Sequence, residues 1–495
     1  MRFSTALAIW LCSSAVTALP TDHPFAAFLH PQHHWHAHTT IEFPNSTTFV
    51  NATERWNTND PPTFAVAVSP ARGQDVATAV KIARAINIPF LGTGGRHSSA
   101  STLGTLDQGL SIDLSKLNSV KVDAEAGTLT IGGGTRFGQI VEPVYEAGYQ
   151  MPIGSCACPG MVGATIGGGV GRWQGLDGLI IDSLLSVRLV TADGRLIHVS
   201  ADSHPDLFWA IRGAAANFGI ITSATYKLSP QTNNGQLLNA DFILPAASNG
   251  TYFDLLQSLE DNMPAELAVI AIVEANTTTG EAQILTNWAY FGSEEKGREL
   301  VAPILDLNPI ATNISVLAYN TIIPNALFKL GVTVCEPVHV KGYGVNYRNL
   351  SSSTYQTVFQ RLNDFYATYP DGRGSSIELE IFARQAVQAV APDATAYPWR
   401  DTRGYVGISF GWNTTETEQA GDAMANVIRS DFVATSGYDD LAVYVSYAHG
   451  DESREQMYGS NVPRLVQLKK KWDPDDVFRF YHDLATDRAG APVRV

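Results

Sequence analysis

A histidine and a cysteine interleaved with three glycine clusters are the residues of this sequence whose types and spacing could do chemistry. His97 ends the run Gly92-Thr93-Gly94-Gly95-Arg96-His97-Ser98, and Cys156 lies in Gly154-Ser155-Cys156-Ala157-Cys158-Pro159-Gly160. Gly132-Gly133-Gly134 falls between them, and Gly167-Gly168-Gly169-Val170-Gly171 follows. Glycine costs backbone entropy wherever it is used, so clusters of it interleaved with reactive side chains ask for more than tight turns. Close approach of bare N–H groups to a large phosphate-bearing ligand is one such reason. The spacing is neither the G-x-G-x-x-G of a Rossmann turn nor a P-loop.

The cysteines add a second clue. Of four, Cys12 sits in an apolar N-terminal stretch, which leaves Cys156, Cys158 and Cys335. An odd number in an oxidising compartment means that at least one is free, intermolecular or chemically modified. Cys156 could pair with Cys335; pairing with Cys158 would strain a C-x-C loop. Two further groups carry chemistry on paper. Glu378 and Glu380 share one face of an alternating strand and could orient a ligand, although a solvated strand face is the commoner outcome. Gly407-Ile408-Ser409-Phe410-Gly411 has the letters of a nucleophile elbow, with His449 and His482 downstream. An elbow needs a helix starting at the serine, whereas Tyr405 to Trp412 alternates like a strand, so a serine hydrolase is set aside.

The elements that would position these residues follow from pattern. Met1-Arg2, the apolar run Ala6 to Leu11 and the small residues Val16-Thr17-Ala18 read as a secretory signal over 1–18. Sequons at Asn45, Asn51, Asn249, Asn276, Asn313, Asn349 and Asn413 fit a glycoprotein that is secreted or in the lumen of the secretory pathway. Residues 19–60, with His30, His33, His34, His36 and His38, read as a solvated, poorly ordered polar leader and not a metal site. Val76, Ala79, Val80, Ala83 and Ile86 recur at helical spacing before Pro89. Strand-like runs follow at Leu110–Leu114, Ser119–Val122, Thr128–Ile131 and Leu184–Thr191, with a helix from Phe137 to Ala147. From about residue 235 glycine thins out and strands alternate, with a hairpin of Leu267–Val273 and Ala282–Phe291. Near the end Asn461 can cap a helix that has Pro463 in its first turn and Leu465, Leu468 and Trp472 on one face. With 45% apolar and 16% charged residues the chain can bury a large core, and its net charge of −15 argues against nucleic-acid or anionic-membrane partners. No later segment is long and apolar enough to span a membrane.

Four stretches carry a resemblance. Gly94-Gly95-Arg96-His97-Ser98, the run from Gly154 through Gly160 and Gly163 to Gly167-Gly168-Gly169, the block Asp206-Leu207-Phe208-Trp209-Ala210-Ile211-Arg212-Gly213 through Asn217-Phe218-Gly219, and Tyr458-Gly459-Ser460-Asn461 through Trp472-Asp473-Pro474 to Phe478 are similar to motifs of the berberine-bridge-enzyme-like oxidases. These belong to the vanillyl-alcohol oxidase/PCMH superfamily, and the chain looks like a fungal secreted type. The resemblance implies an α+β fold: a PCMH-type FAD-binding domain over 61–235, an inserted substrate domain over 236–449 built on an antiparallel sheet flanked by helices, and a segment 450–495 returning to the FAD domain.

It further implies FAD bonded to both His97 and Cys156, with Gly92, Gly94, Gly95, Arg96, Ser98, Gly160, Gly163, Gly167, Gly168, Gly169, Gly219 and Ile220 around the cofactor. Arg96 stands where the family usually has glycine and could bring a cation to the pyrophosphate. Ala214-Ala215-Ala216 replaces a glycine run, and Pro159 stands where valine or leucine is usual, a position linked to oxygen access. Thr395-Ala396-Tyr397-Pro398-Trp399-Arg400 and Tyr444-Val445-Ser446-Tyr447 match motifs of the second domain more weakly. By position Tyr447 is the base, and a neighbouring cation or flavin charge would have to lower its pKa; otherwise it is an aromatic on a core-facing strand. The implied reaction is two-electron oxidation of a small organic metabolite by a monomer, with hydride passing to flavin N5 and O2 reoxidising the flavin. Oligosaccharide oxidation at the reducing end and cyclisation over a non-redox flavin are the alternatives.

Overall fold

The computed structural model describes residues 24–260 and 262–486. The leader expected at 1–18, Cys12 and the last residues of the 450–495 segment lie outside them.

Alternation with a period of two builds the second half of the molecule. In the strand Leu267–Ala275, Leu267, Val269, Ala271 and Val273 pack into one core while Ala268, Ile270 and Ile272 pack into another. The strand pairs antiparallel with Ala282–Tyr290 on one side and Ser376–Phe382 on the other. Extending this pairing gives a seven-stranded sheet in the order Ala311–Ala318, Gln236–Leu244, Ala282–Tyr290, Leu267–Ala275, Ser376–Phe382, Gly404–Gly411, Val340–Tyr347. Every neighbour in it is antiparallel. Helices Asn249–Ser258, Glu294–Leu305, Ser352–Thr368 and Thr415–Val433 bury their apolar stripes on one face. Much of the opposite face packs on the first half of the chain, and the rest faces the space between the halves.

Among the described residues the first half holds two smaller sheets and a two-stranded pair, Ser229–Pro230 with Tyr149–Gln150. Phe64–Ser69, Gly109–Asp113 and Phe90–Thr93 run parallel, and the helix Gly73–Ala85 lays Val76, Ala79, Val80 and Ala83 on them. The helix stops where Asn87 takes a left-handed φ of 55° ahead of Pro89. The strands Val120–Asp123, Thr128–Gly132, Ile220–Lys227, Leu184–Val190 and Leu196–Ser200 form a five-stranded antiparallel sheet in that order. The fold is the expected α+β arrangement.

Residues 19–60 depart from expectation. From Pro24 on the segment is built into the first half rather than solvated. Phe28 is fully buried, Thr40–Glu42 pairs with Phe64–Ser69, and the helix Thr47–Thr53 is capped by the Ser46 hydroxyl. Composition misled because the histidines sit on short exposed turns, whereas Phe28, Ile41 and Ala52 provide the anchors.

The end of the chain docks on Asn217. Its side chain donates to the His482 carbonyl and accepts from Leu484 N–H, while the buried Lys469 donates to the Asn217 and Phe478 carbonyls and pairs with Asp473. Asn461 does precede the helix Val462–Trp472, but its side chain donates to the Ala396 carbonyl at 3.2 Å instead of capping. The halves are welded by a buried ion pair, Arg400 Nη1 to Asp182 Oδ2 at 2.7 Å.

Candidate functional site

Between the halves lies a cavity of about 840 Å³, within the usual range of ligand pockets. The end of the parallel strand Phe90–Thr93 brings Gly92 to it, and the loop that follows brings Gly94, Gly95, Arg96, His97 and Ser98. Gly160 and Gly163 reach it from the start of the helix Met161–Thr165, and Gly219 and Ile220 from the start of Ile220–Lys227. Pro159 lines it as well. Two glycine contacts explain the local folding. A Cβ on Gly95 would lie 2.0 Å from Gly160 N, so the two loops meet backbone to backbone. A Cβ on Gly163 would meet no described protein atom within 4 Å; the fold leaves that space open toward the cavity.

Gly167, Gly168 and Gly169 do not line the cavity, contrary to expectation. They pack against Ser446, Tyr397 and Ile180, and φ values of 139° and 80° at Gly168 and Gly169 are what require glycine there. Arg96 lines the cavity but donates through Nη1 to the Asn51 carbonyl.

His97 and Cys156 meet on this wall. A ring nitrogen of His97 and the sulfurs of Cys156 and Cys158 lie within 4.8 Å of one another. Cys158 is joined to Cys335, so it offers no thiolate to a metal, and among the described residues Cys156 is the free thiol. Burial lowers the His97 pKa to about 4, aided by the charges of Arg136 and Arg55, so the ring is neutral near pH 7. Its buried Nε2 has no hydrogen-bond partner among the described residues. Burial, then the charge of Glu378, pushes the Cys156 thiol up to about 12. Trp56 stacks on His97, with ring centroids 4.1 Å apart and planes 13° from parallel.

The facing wall comes from the seven-stranded sheet. Ile377, Leu379 and Ile381 point to the helices, which turns Glu378 and Glu380 toward the cavity. The solvated face that seemed commoner is therefore overturned: Glu380 is only 4% exposed. Tyr447 Oη donates to Glu380 Oε2 at 2.7 Å. Tyr447 sits on the single turn Val445–Tyr447, not on a strand. The cation expected to lower its pKa is replaced by carboxylates; burial, then Glu380 and Glu378, hold the phenol well above its usual value. Burial, then Glu378, pushes Glu380 up to about 8, with Arg172 opposing. Arg172 is itself buried and donates to Asn287 Oδ1 at 3.1 and 3.3 Å. Ile272, Leu330, Val334, Val338 and Val340 complete this side with aliphatic surface. Gly407 to Ser409 also line it from within the strand Gly404–Gly411, which has no elbow.

Sequence reasoning missed Trp56, Arg172 and the segment around Cys335. Only the uncharged neighbours of Arg172 and the unpaired third cysteine hinted at them. Of the sequon asparagines, Asn45, Asn51, Asn349 and Asn413 are exposed, and Asn249, Asn276 and Asn313 are half-buried.

The family model "FAD binding domain" matches residues 64–200, and "Berberine and berberine like" matches 443–483. The chain is 47% identical over 454 residues to the FAD-linked oxidoreductase OXR1 of Pyricularia oryzae, covering 90% of this chain and 89% of that one. It belongs to the berberine-bridge-enzyme-like FAD-linked oxidoreductases.

Solved structures share the fold of this FAD-linked oxidoreductase at low identity. BBE-like 1 of Physcomitrella patens superimposes with a TM-score of 0.79 at 22% identity, covering 90% of this chain and 97% of that one. The glucooligosaccharide oxidase of Acremonium strictum, which carries a 6-S-cysteinyl, 8α-N1-histidyl FAD, gives 0.77 at 22% identity with the same coverage. The residues of the oxidoreductase fit FAD. The space kept by Gly163, the unpartnered Nε2 of His97 and the glycine loops form one continuous wall. Among the described residues no helix is long and apolar enough to cross a membrane.

Proposed function

We propose that this oxidoreductase removes two electrons from a hydroxyl-bearing, largely apolar small metabolite, with O2 as final acceptor and FAD bonded to His97 and Cys156. The reading is carried by the Tyr447–Glu380 hydrogen bond, made in the same cavity as the paired His97 and Cys156. Bound FAD supplies the two-electron acceptor that takes hydride from the substrate and yields H2O2 on reoxidation.

The chain's own part is to bind, orient and move a proton. The 92–98 loop, Gly160, Gly163, Gly219 and Ile220 hold the cofactor. Tyr447 takes the substrate's hydroxyl proton as its own passes to Glu380. A free phenolate is disfavoured beside two carboxylates, so the two transfers are coupled and Glu380 is the ultimate base. Its pKa near 8 suits that task. His97 and Cys156 would hold the cofactor covalently, His97 giving up its N–H proton and Cys156 its S–H proton, with O2 taking up the two electrons that each attachment releases.

The aliphatic side chains of Ile272, Leu330, Val334, Val338 and Val340 support an apolar substrate. The alternative of oligosaccharide oxidation draws on the carboxylates Glu274 and Glu378, which could accept sugar hydroxyls. Peroxide release with a panel of apolar alcohols, set against xylo- and gluco-oligosaccharides, tests the choice. Faster turnover of the sugars would reject the apolar assignment, and turnover with neither O2 uptake nor peroxide would identify a cyclase. Acid precipitation should leave the yellow colour in the pellet; full release of flavin would sink the attachment. The Cys158–Cys335 disulfide and the four exposed sequon asparagines support a secreted glycoprotein.

A further inference from the structure

One wall of the cavity is closed by the segment 326–340, which neither family match covers. It is tied down at three points. At its start Leu327, Phe328 and Lys329 take consecutive positive φ values of 53°, 50° and 76°, a conformation that residues with a Cβ hold only under constraint. The buried carboxylate of Asp241 provides that constraint, accepting from Leu327 N at 2.8 Å and Phe328 N at 3.4 Å. In its middle Cys335 is joined to Cys158, two residues from Cys156, and Ala157 N donates to the Gly331 carbonyl. At its end Val338 N donates to the Trp56 carbonyl and Thr58 N to the Val338 carbonyl, both at 2.8 Å.

Trp56 carries this last tie to His97. Its indole stacks on the imidazole, its Nε1 donates to the Val334 carbonyl at 2.7 Å, and its backbone N–H donates to the Arg96 carbonyl. His97 and Cys156 thus come from separate loops, and one segment of the other half of the molecule grips the neighbours of both. We infer that residues 326–340 form a buckle that holds His97 and Cys156 in register for double attachment, with Trp56 the positioning residue on the histidine side and the Cys158–Cys335 disulfide on the cysteine side. This rests on the attachment reading given under Proposed function. The stack fixes the plane of the His97 ring, and burial keeps it neutral. The disulfide fixes the path of residues 156–158 and leaves the Cys156 thiol free to face the cavity.

The two arms of the buckle act on different bonds, which makes them separable. Full-length enzyme is purified, acid-precipitated and digested, and the flavin carried by the His97 and Cys156 peptides is quantified by mass spectrometry. Trp56→Ala should lower flavin on His97 at least fivefold and spare Cys156, and Trp56→Phe, which retains a stacking ring, should restore most of it. The double change Cys158→Ser, Cys335→Ser should do the reverse. Wild-type levels of both bonds in all variants, or equal loss of both bonds in each, would overturn the buckle. Wild-type enzyme with flavin on neither residue would instead overturn the attachment reading itself. If Trp56→Ala does not fold, Trp56→Leu against Trp56→Phe reads the same contrast, and equal flavin on His97 in these two rejects the stack.

Discussion

The two walls of the cavity are built by opposite means. The cofactor wall is backbone: glycine loops stacked against one another, with Arg55, Arg96 and Arg136 around His97. The substrate wall is side chain: Glu274, Glu378, Glu380 and Tyr447 on and beside a sheet, with Arg172 the buried cation that opposes the two central carboxylates. The titrating groups follow their own charge type on either wall. On the first, His97 is held below its ordinary value and Cys156 above; on the second, Glu380 and Tyr447 are held above theirs. Burial favours the neutral form throughout, the imidazole and thiol on one wall and the protonated acids on the other. On the proposed function, a dianionic pyrophosphate would lie beside the first wall and a neutral proton donor beside the second.

The strongest way to break this contrast is to disarm the proton wall. Glu380→Gln should lower kcat by roughly 10²–10⁴ with little change in KM, the range expected of a positioned base. Tyr447→Phe should cost a similar factor. The double variant should be no slower than the worse single one, because the pair acts as a unit; multiplicative losses in stopped-flow flavin reduction would separate the two residues. Next in size is the cofactor wall. Gly95→Ala drives a methyl into Gly160, so FAD per protein should fall more than tenfold and the fold should weaken with it. Gly163→Ala meets no protein atom, so it should keep the melting temperature of the FAD-free protein while losing FAD. Full FAD occupancy in Gly163→Ala, read from the ratio of visible to protein absorbance, would show that this space is not the cofactor's.

The same contrast explains what could be read from sequence. Part of the first wall is local: His97 and Gly94 are three residues apart on one loop, so spacing brings these together, whereas Cys156, Gly160 and Gly219 are placed there only by the family resemblance; Gly167–Gly169 lie off the cavity because their own turns need glycine. The hairpin Leu267–Ala275 with Ala282–Tyr290 and the helix Val462–Trp472 were visible from period alone. The substrate wall depends on which sheet face meets the other half of the molecule, and alternation cannot tell solvent from a second core. Glu378 and Glu380 therefore read as solvated. Trp56 reaches Val334 across 278 positions of sequence, a contact that only the folded topology creates.

The smallest effect is the most telling about the proton wall. On the proposed mechanism Glu380 acts as the carboxylate, so kcat/KM should rise with pH and level off above about 8, where that group has lost its proton. After burial, the charge of Glu378 is the next influence raising this value. Glu378→Gln removes a like charge, which stabilises ionised Glu380, so the acid limb should move to lower pH by on the order of one unit. An unchanged limb would mean that Glu378 carries the proton in the free enzyme and Glu380 ionises first, since two buried carboxylates this close share their titration. Arg172→Gln supplies the opposite sign: removing the cation that opposes both carboxylates should move the limb up. Opposite shifts from these two variants would establish that the set point of the base belongs to the wall as a whole and not to Glu380 alone.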